Sequence, residues 1–263
     1  MRASSEPSIS VASPLRFFAL VLALSTPFWM LGAMTRPQLL PGLSVTALMA
    51  FCPLTVAAIL VYKNSGIPGV IALLKRSFDF RRISAKRWYL PIILLMPGLT
   101  ALSIGWLQFA GMPLPTLRFP VVSGLVIFAT FFIGALGEEL GWSGYITDPL
   151  QNRFGALGAS LLLGMVWAAW HIVPHLQAHR SVAWIGWYAL FTVATRVVLV
   201  WLFNNTGKSV FGAALFHAML NLSWFLFPDE YFDPRIAGLI MAAVAAVVVF
   251  VWGPKTLAKN RFA

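Results

Sequence analysis

Eight apolar stretches, each near the ~20 residues that a bilayer core requires, divide this chain and leave few ways for it to fold. They run approximately Pro14–Leu31, Leu43–Tyr62, Trp88–Phe109, Val121–Tyr145, Ala156–Ile172, Trp184–Phe203, Val210–Phe227 and Ile236–Trp252. In lipid, backbone N–H and C=O groups must be satisfied within the protein, so such stretches are expected to be helices. The expected fold class is all-α: a polytopic membrane protein of about eight transmembrane helices around an intramembrane polar cavity. Only 10% of the residues are charged and 59% are hydrophobic, where soluble domains carry roughly 25% charged residues. The first stretch, Arg16 followed by Phe17–Ser25, has the outline of a signal peptide. No clean small-x-small cleavage site precedes Pro27-Phe28-Trp29-Met30, so it reads as an uncleaved first helix.

The net charge of +11 raises the question of nucleic acid, and its distribution answers no. Of the 19 Lys and Arg, all but Arg36, Arg118, Arg180, Arg235 and the intramembrane Arg196 fall on the side holding the N-terminus. An excess of Lys and Arg in short loops marks the cytoplasmic face. The expected localisation is an integral membrane protein with both termini cytoplasmic, in the plasma membrane of a prokaryote. The single Cys52 lies in an apolar stretch, so no disulfide framework and no cysteine metal site is expected.

Residues 1–13 are small and polar and read as a disordered N-terminus. Residues 14–254 read as one transmembrane domain, and 255–263 as a basic C-terminal tail. The loop 63–87 interleaves Val70, Ile71, Leu73, Leu74, Phe78 and Phe80 with Lys75, Arg76, Arg81 and Arg82. It reads as an amphipathic helix on the cytoplasmic headgroups, with anionic lipid as its partner. Met112-Pro113-Leu114-Pro115 breaks the chain before the fourth stretch, and Asp148-Pro149 is expected to stop the helix that follows. No internal repeat is present.

Glu138 and Glu139 stand side by side inside the fourth stretch, two of only eight acidic residues. A charge facing lipid there costs roughly 2.5–3.5 kcal/mol, so both must face a polar interior. About 100° separates neighbours on a helix, so one can face a cavity while the other holds a neighbouring element. Trp167 and His171 share one helix face, as do His217 and Asn221. At about 1.5 Å of rise per residue, His171 lies roughly 22 Å from the cytoplasmic end of its stretch. By the same count His217 and Asn221 lie roughly 10 and 16 Å in, and Glu138 roughly 10–16 Å. Each group alone is commonly helix-packing glue, and Glu138 could be a counter-ion for Arg196. Five such groups in overlapping layers point instead to water activation: a carboxylate as general base, imidazoles to share a proton or hold a metal, and an amide for an oxyanion. Neither H-E-x-x-H nor G-x-S-x-G occurs.

Glu138-Glu139-Leu140-Gly141-Trp142-Ser143-Gly144-Tyr145, then Trp167…His171, then His217…Asn221 resemble the three motifs of the CAAX protease and bacteriocin-processing (CPBP, Rce1-like) intramembrane endopeptidases. The resemblance covers roughly 120–227. It implies a membrane-embedded endopeptidase, CAAX-protease-like, acting on peptide or protein substrates at the membrane. It implies Glu138 as the base, Glu139 as its orienting neighbour, His171 as assistant to water activation, and His217 with Asn221 on the oxyanion side. A divalent metal such as zinc on Glu138, His171 and His217 stays open beside a metal-free glutamate mechanism. The first motif of that family usually ends in Arg, where this chain has Ser143. Glu139 then needs a cation from elsewhere, Arg153 or Arg196, and Ser143→Arg is expected to be tolerated. The alternative is a non-catalytic membrane scaffold or immunity-type relative, for which Ser143 speaks. A transporter using midplane acids is the third reading, and the missing repeat speaks against it.

Overall fold

The structure is a computed structural model and describes residues 13–35, 38–40, 43–116 and 121–258. Its helices are α1 (Pro14–Thr35), α2 (Cys52–Lys75), α3 (Tyr89–Phe109), α4 (Val121–Gly141), α5 (Thr147–Gln177), α6 (Val182–Asn205), α7 (Val210–Phe225) and α8 (Pro234–Trp252). A short antiparallel hairpin, β1 (Gln38–Leu40) with β2 (Leu43–Ser44), follows α1 and leads into a 3₁₀ segment, Val45–Phe51. Among the described residues, six helical stretches are long and apolar enough to cross a membrane, and Val210–Phe225 is a shorter apolar helix. The chain is a polytopic membrane protein, helical but for that short hairpin.

Helix starts follow local chemistry. Ser181, Ser209 and Asp233 place side-chain oxygens on the backbone N–H groups of Trp184, Gly212 and Arg235, capping α6, α7 and α8. The centre of the bundle is α6, packed against α5, α7 and α8. Ala194 to Phe203 are buried without interruption, as expected of a helix that is apolar all round. Further packing of α4 on α7 and α2, and of α3 on α7, surrounds it.

Several expectations are corrected. Asp148-Pro149 does not end a helix. After α4 the chain makes one π-helical turn, Trp142–Ile146, and enters α5, with Pro149 in its first turn. There the missing N–H of proline costs nothing. The break comes at Gly155, whose φ of 69° suits a residue without a Cβ. The loop 63–87 is likewise not one separate helix. It is the end of α2 beyond a break at Gly66 (φ 61°) and then a 3₁₀ segment, Arg76–Arg82. Ile67, Ile71 and Phe78 are exposed along it while Leu73 and Ser77 are buried. Its polar groups also grip the bundle. Arg76 donates to the carbonyls of Gly144 (2.7 Å) and Lys208 (2.7 Å). Asp79 accepts from Ser209 Oγ (2.8 Å) and from the N–H groups of Val210 and Phe211.

The start of the expected C-terminal tail is packed rather than free. Backbone N–H groups of Ala156 and Leu157 donate to the carbonyls of Lys255 and Pro254. Asn204 and Asn205 reach the carbonyls of Thr256 and Leu257. Residues 1–12 and 259–263, with Arg36 and Arg118, lie outside the described residues, and with them most of the expected disordered N-terminus.

Candidate active site

Glu138 and Glu139 sit on the last turn of α4, where the helix packs against the Ala50–Pro53 segment at the start of α2. A Cβ on Gly137 would lie 2.8 Å from the carbonyl oxygen of Ala50, and one on Gly141 would lie 2.5 Å from Pro53. The two glycines, four residues apart, therefore let the backbones touch and fix how α4 is rotated.

That rotation gives the two carboxylates different surroundings. Glu139 is wholly buried and turned towards α6, where Arg196, also wholly buried, holds Oε2 at 3.0 Å. Ser143, one turn on, donates its hydroxyl to the same oxygen. His217 Nδ1 stands 3.1 Å from the other oxygen, Oε1. The cation that the first motif lacks at Ser143 is thus delivered from α6, and the guanidinium also lies over the Trp167 ring, 4.2 Å from its centroid. Of the two candidates, Arg196 is the partner. Arg153 instead lies over the Phe154 ring. Buried ion pairs owe their survival to such geometry and to extra hydrogen bonds, and Glu139 has both.

Glu138 looks the other way. Its Oε2 accepts from Trp167 Nε1 (2.8 Å) and from Trp142 Nε1 (3.3 Å), while Oε1 is 3.9 Å from His217 Nε2. It lines a cavity of about 530 Å³ together with Trp167, His171, His217 and Asn221. The structure therefore brings Glu138, His171, His217 and Asn221 to one cavity and leaves Glu139 behind its wall. His171 Nδ1 is 2.8 Å from the Trp167 carbonyl. A carbonyl only accepts, so Nδ1 carries the proton and Nε2 is the nitrogen left for chemistry. The same reasoning at His217, with a Glu139 carboxylate held by Arg196, leaves its Nε2 facing Glu138.

Sequence reasoning missed the two indole donors. Trp142 lies one turn after Glu138, so the spacing contained that signal. In the sequence, Trp167 stands out only as a facial neighbour of His171. The cavity runs from Glu138 past Thr130, His175 and Tyr188 to Leu39, Leu43 and Ser44. Phe17, Trp142, Tyr145 and Trp170 fill the other end with ring contacts of 5.2–5.7 Å.

Among the described residues no group of three His, Cys, Asp or Glu side chains could hold an ion. Glu138, His171 and His217 do not fit a resident metal in this arrangement.

The family model for type II CAAX prenyl endopeptidases, Rce1-like, matches residues 120–223. Among curated proteins, the chain is 28% identical over 235 residues to CAAX prenyl protease 2 of Methanococcus maripaludis, an overlap of 81% of this chain and 80% of that protein. It is 23% identical over 186 residues to lysostaphin resistance protein A of Staphylococcus haemolyticus, covering 68% of this chain and 49% of that protein. With the Staphylococcus epidermidis protein of the same name the figures are 27% over 146 residues, 55% and 36%. The chain spans about half or less of these two staphylococcal relatives.

Proposed function

We propose, for a chain whose residues 120–223 match the Rce1-like family model, an intramembrane endopeptidase that hydrolyses peptide bonds of membrane-associated or lipidated substrates by glutamate-activated water. The observation that carries this is Glu138: one oxygen fixed by two indole N–H groups, the other free beside His217 Nε2, at the closed end of a cavity that also bears His171 and Asn221. A base must be held still to be aimed, and neutral indoles hold it without a cation that would weaken it as a base. Water adds to the peptide carbonyl carbon as its proton passes to Glu138, with His171 Nε2 helping to orient it. The carbonyl oxygen becomes an oxyanion that the Asn221 amide, and His217 when protonated at Nε2, stabilise. Collapse breaks the C–N bond, and Glu138 returns the proton to the leaving amine.

Glu139 is a positioning residue in this scheme. With Arg196 and Ser143 holding it, its Oε1 takes the His217 Nδ1–H and so presents Nε2 to the cavity, the logic by which a buried carboxylate sets a histidine tautomer. The non-catalytic reading rested on Ser143, and Arg196 supplies the charge whose absence motivated it. Substrates are peptides bearing a lipidated or CAAX-type end, or small bacteriocin-type precursors. Anionic lipid is the partner of the basic segment around Arg81 and Arg82.

The test is cleavage in proteoliposomes, with and without chelator, of a peptide panel spanning those classes. Glu138→Gln should lower cleavage by about 10²–10⁴-fold with membrane yield and thermal unfolding unchanged. Full cleavage by Glu138→Gln would remove Glu138 as the base. Positive charge on the side of the termini makes that side cytoplasmic, so the cavity mouth faces the opposite side. Leu39→Cys in a Cys52→Ala background should accordingly react with a membrane-impermeant thiol reagent on intact cells. Reaction only after lysis would invert the topology.

A further inference from the structure

Beyond Glu138, His171, His217 and Asn221, the cavity holds one more imidazole to which the mechanism assigns nothing. His175 lines the same wall one turn further along α5, its ring 6.1 Å from that of His171. Tyr188 and Trp184 of α6 pack against it at 4.2 and 5.0 Å between ring centroids. Those two rings stack on each other 10° from parallel, so the His175 ring has a rigid backing. Its Nε2 is buried from solvent and has no hydrogen-bond partner. A buried polar atom left unsatisfied costs about 1–3 kcal/mol, so its retention next to an active site calls for a ligand.

The spacing says where that ligand lies. Four residues of helix rise about 6 Å, and an extended peptide advances about 3.3 Å per residue. A substrate lying along α5, with its reacting carbonyl beside His171, therefore brings a backbone group to His175 two residues away. We propose that His175 is a substrate-binding subsite that hydrogen-bonds, through Nε2, the peptide backbone two residues from the scissile bond. The inference rests on the endopeptidase reading above. It adds that the substrate must be extended along α5, towards the hairpin, to be cut. It also makes His175 a determinant of KM rather than of the chemical step.

The experiment uses the full chain in proteoliposomes and a fluorogenic farnesylated peptide ending in a CAAX sequence. Two further versions of that peptide carry an ester in place of the amide two residues before or two residues after the scissile bond. An ester loses the N–H and weakens the carbonyl as acceptor, so it reports on either role of Nε2. His175→Phe keeps the ring packing and should raise KM about five- to tenfold, the worth of one hydrogen bond, with kcat within twofold. His175→Gln should recover part of the loss. One of the two esters should weaken wild type by a similar factor and cost His175→Phe nothing more. An unchanged KM in His175→Phe, or an ester penalty equal in both proteins at both positions, overturns the subsite. So does a fall in kcat and thermal stability together with KM, which marks a packing role only. Binding of the same peptides to Glu138→Gln by fluorescence anisotropy separates the two claims. If wild type binds the peptide and cuts nothing, the endopeptidase reading falls, and the subsite is judged by whether His175→Phe in the Glu138→Gln background loses that affinity.

Discussion

Along α4, the stretch up to Leu136 and the turn from Gly137 onward belong to two different environments. Before the glutamates, Ile133 is 56% exposed and a Cβ on Gly134 would meet nothing within 4 Å. After them, Leu140, Trp142, Ser143 and Tyr145 are each buried, and Gly137 and Gly141 touch the backbone of the Ala50–Pro53 segment. The charged groups divide along the same line. Arg196 and Glu139 neutralise each other on the packed side, whereas Glu138 faces the roomy side with indole donors and His217. The lesson is a separation of tasks: the helix is fixed by an ion pair set behind the cavity wall. The neighbouring carboxylate can then stay unpaired with any cation.

That contrast can be broken most severely at Arg196. Arg196→Met leaves Glu139 as a buried charge without its cation and should cost about 3–5 kcal/mol, seen as loss of membrane yield and of thermal stability. Adding Glu139→Gln should restore most of it; a double variant as unstable as the single would show that Arg196 acts through packing on Trp167 instead. Next comes Ser143→Arg. Tolerance of this change was the expectation from the motif alone, but Ser143 is 2% exposed and Arg196 already occupies the carboxylate. Overpacking of this kind costs about 1–3 kcal/mol, and the same substitution combined with Arg196→Met should be more stable than Arg196→Met by itself. A stable, active Ser143→Arg single variant would mean that the packed side has room not evident here.

The finest comparison lies within α4. Gly141→Ala drives a Cβ into Pro53 and should cost about 1–3 kcal/mol. Gly134→Ala has open space and should be neutral or gain up to about 1 kcal/mol from helix propensity. Equal unfolding temperatures for the two would erase the distinction between the ends of the helix.

Much of this could be read from the chain, and the remainder has identifiable causes. The placement of Glu138, His171, His217 and Asn221 around one interior followed from spacing within apolar stretches, and Arg196 was one of two cations available to Glu139. What stayed hidden depends on rotation and on local breaks. In a membrane helix every face is apolar, so periodicity does not tell which face of α4 meets α2, and Gly137 and Gly141 reveal it only once Ala50 and Pro53 are beside them. The π turn at Trp142–Ile146 has no compositional mark. Because of it, Pro149 sits harmlessly inside a helix start and the break moves to Gly155. Depth counted from stretch ends inherits those shifts.

The Glu139–Arg196 pair also sets a timetable for how the protein is made. The partners are 57 residues apart, and at about 5–20 residues per second the ribosome needs roughly 3–11 s to supply the second after the first. Through that interval α4 carries two carboxylates and no counter-ion, which makes its release into lipid unfavourable. Insertion of α4 is therefore expected to be completed late, once α6 has emerged. A nascent chain halted before Val182 should remain beside the insertion machinery in a crosslinking experiment, while one extended past Asn205 should leave it.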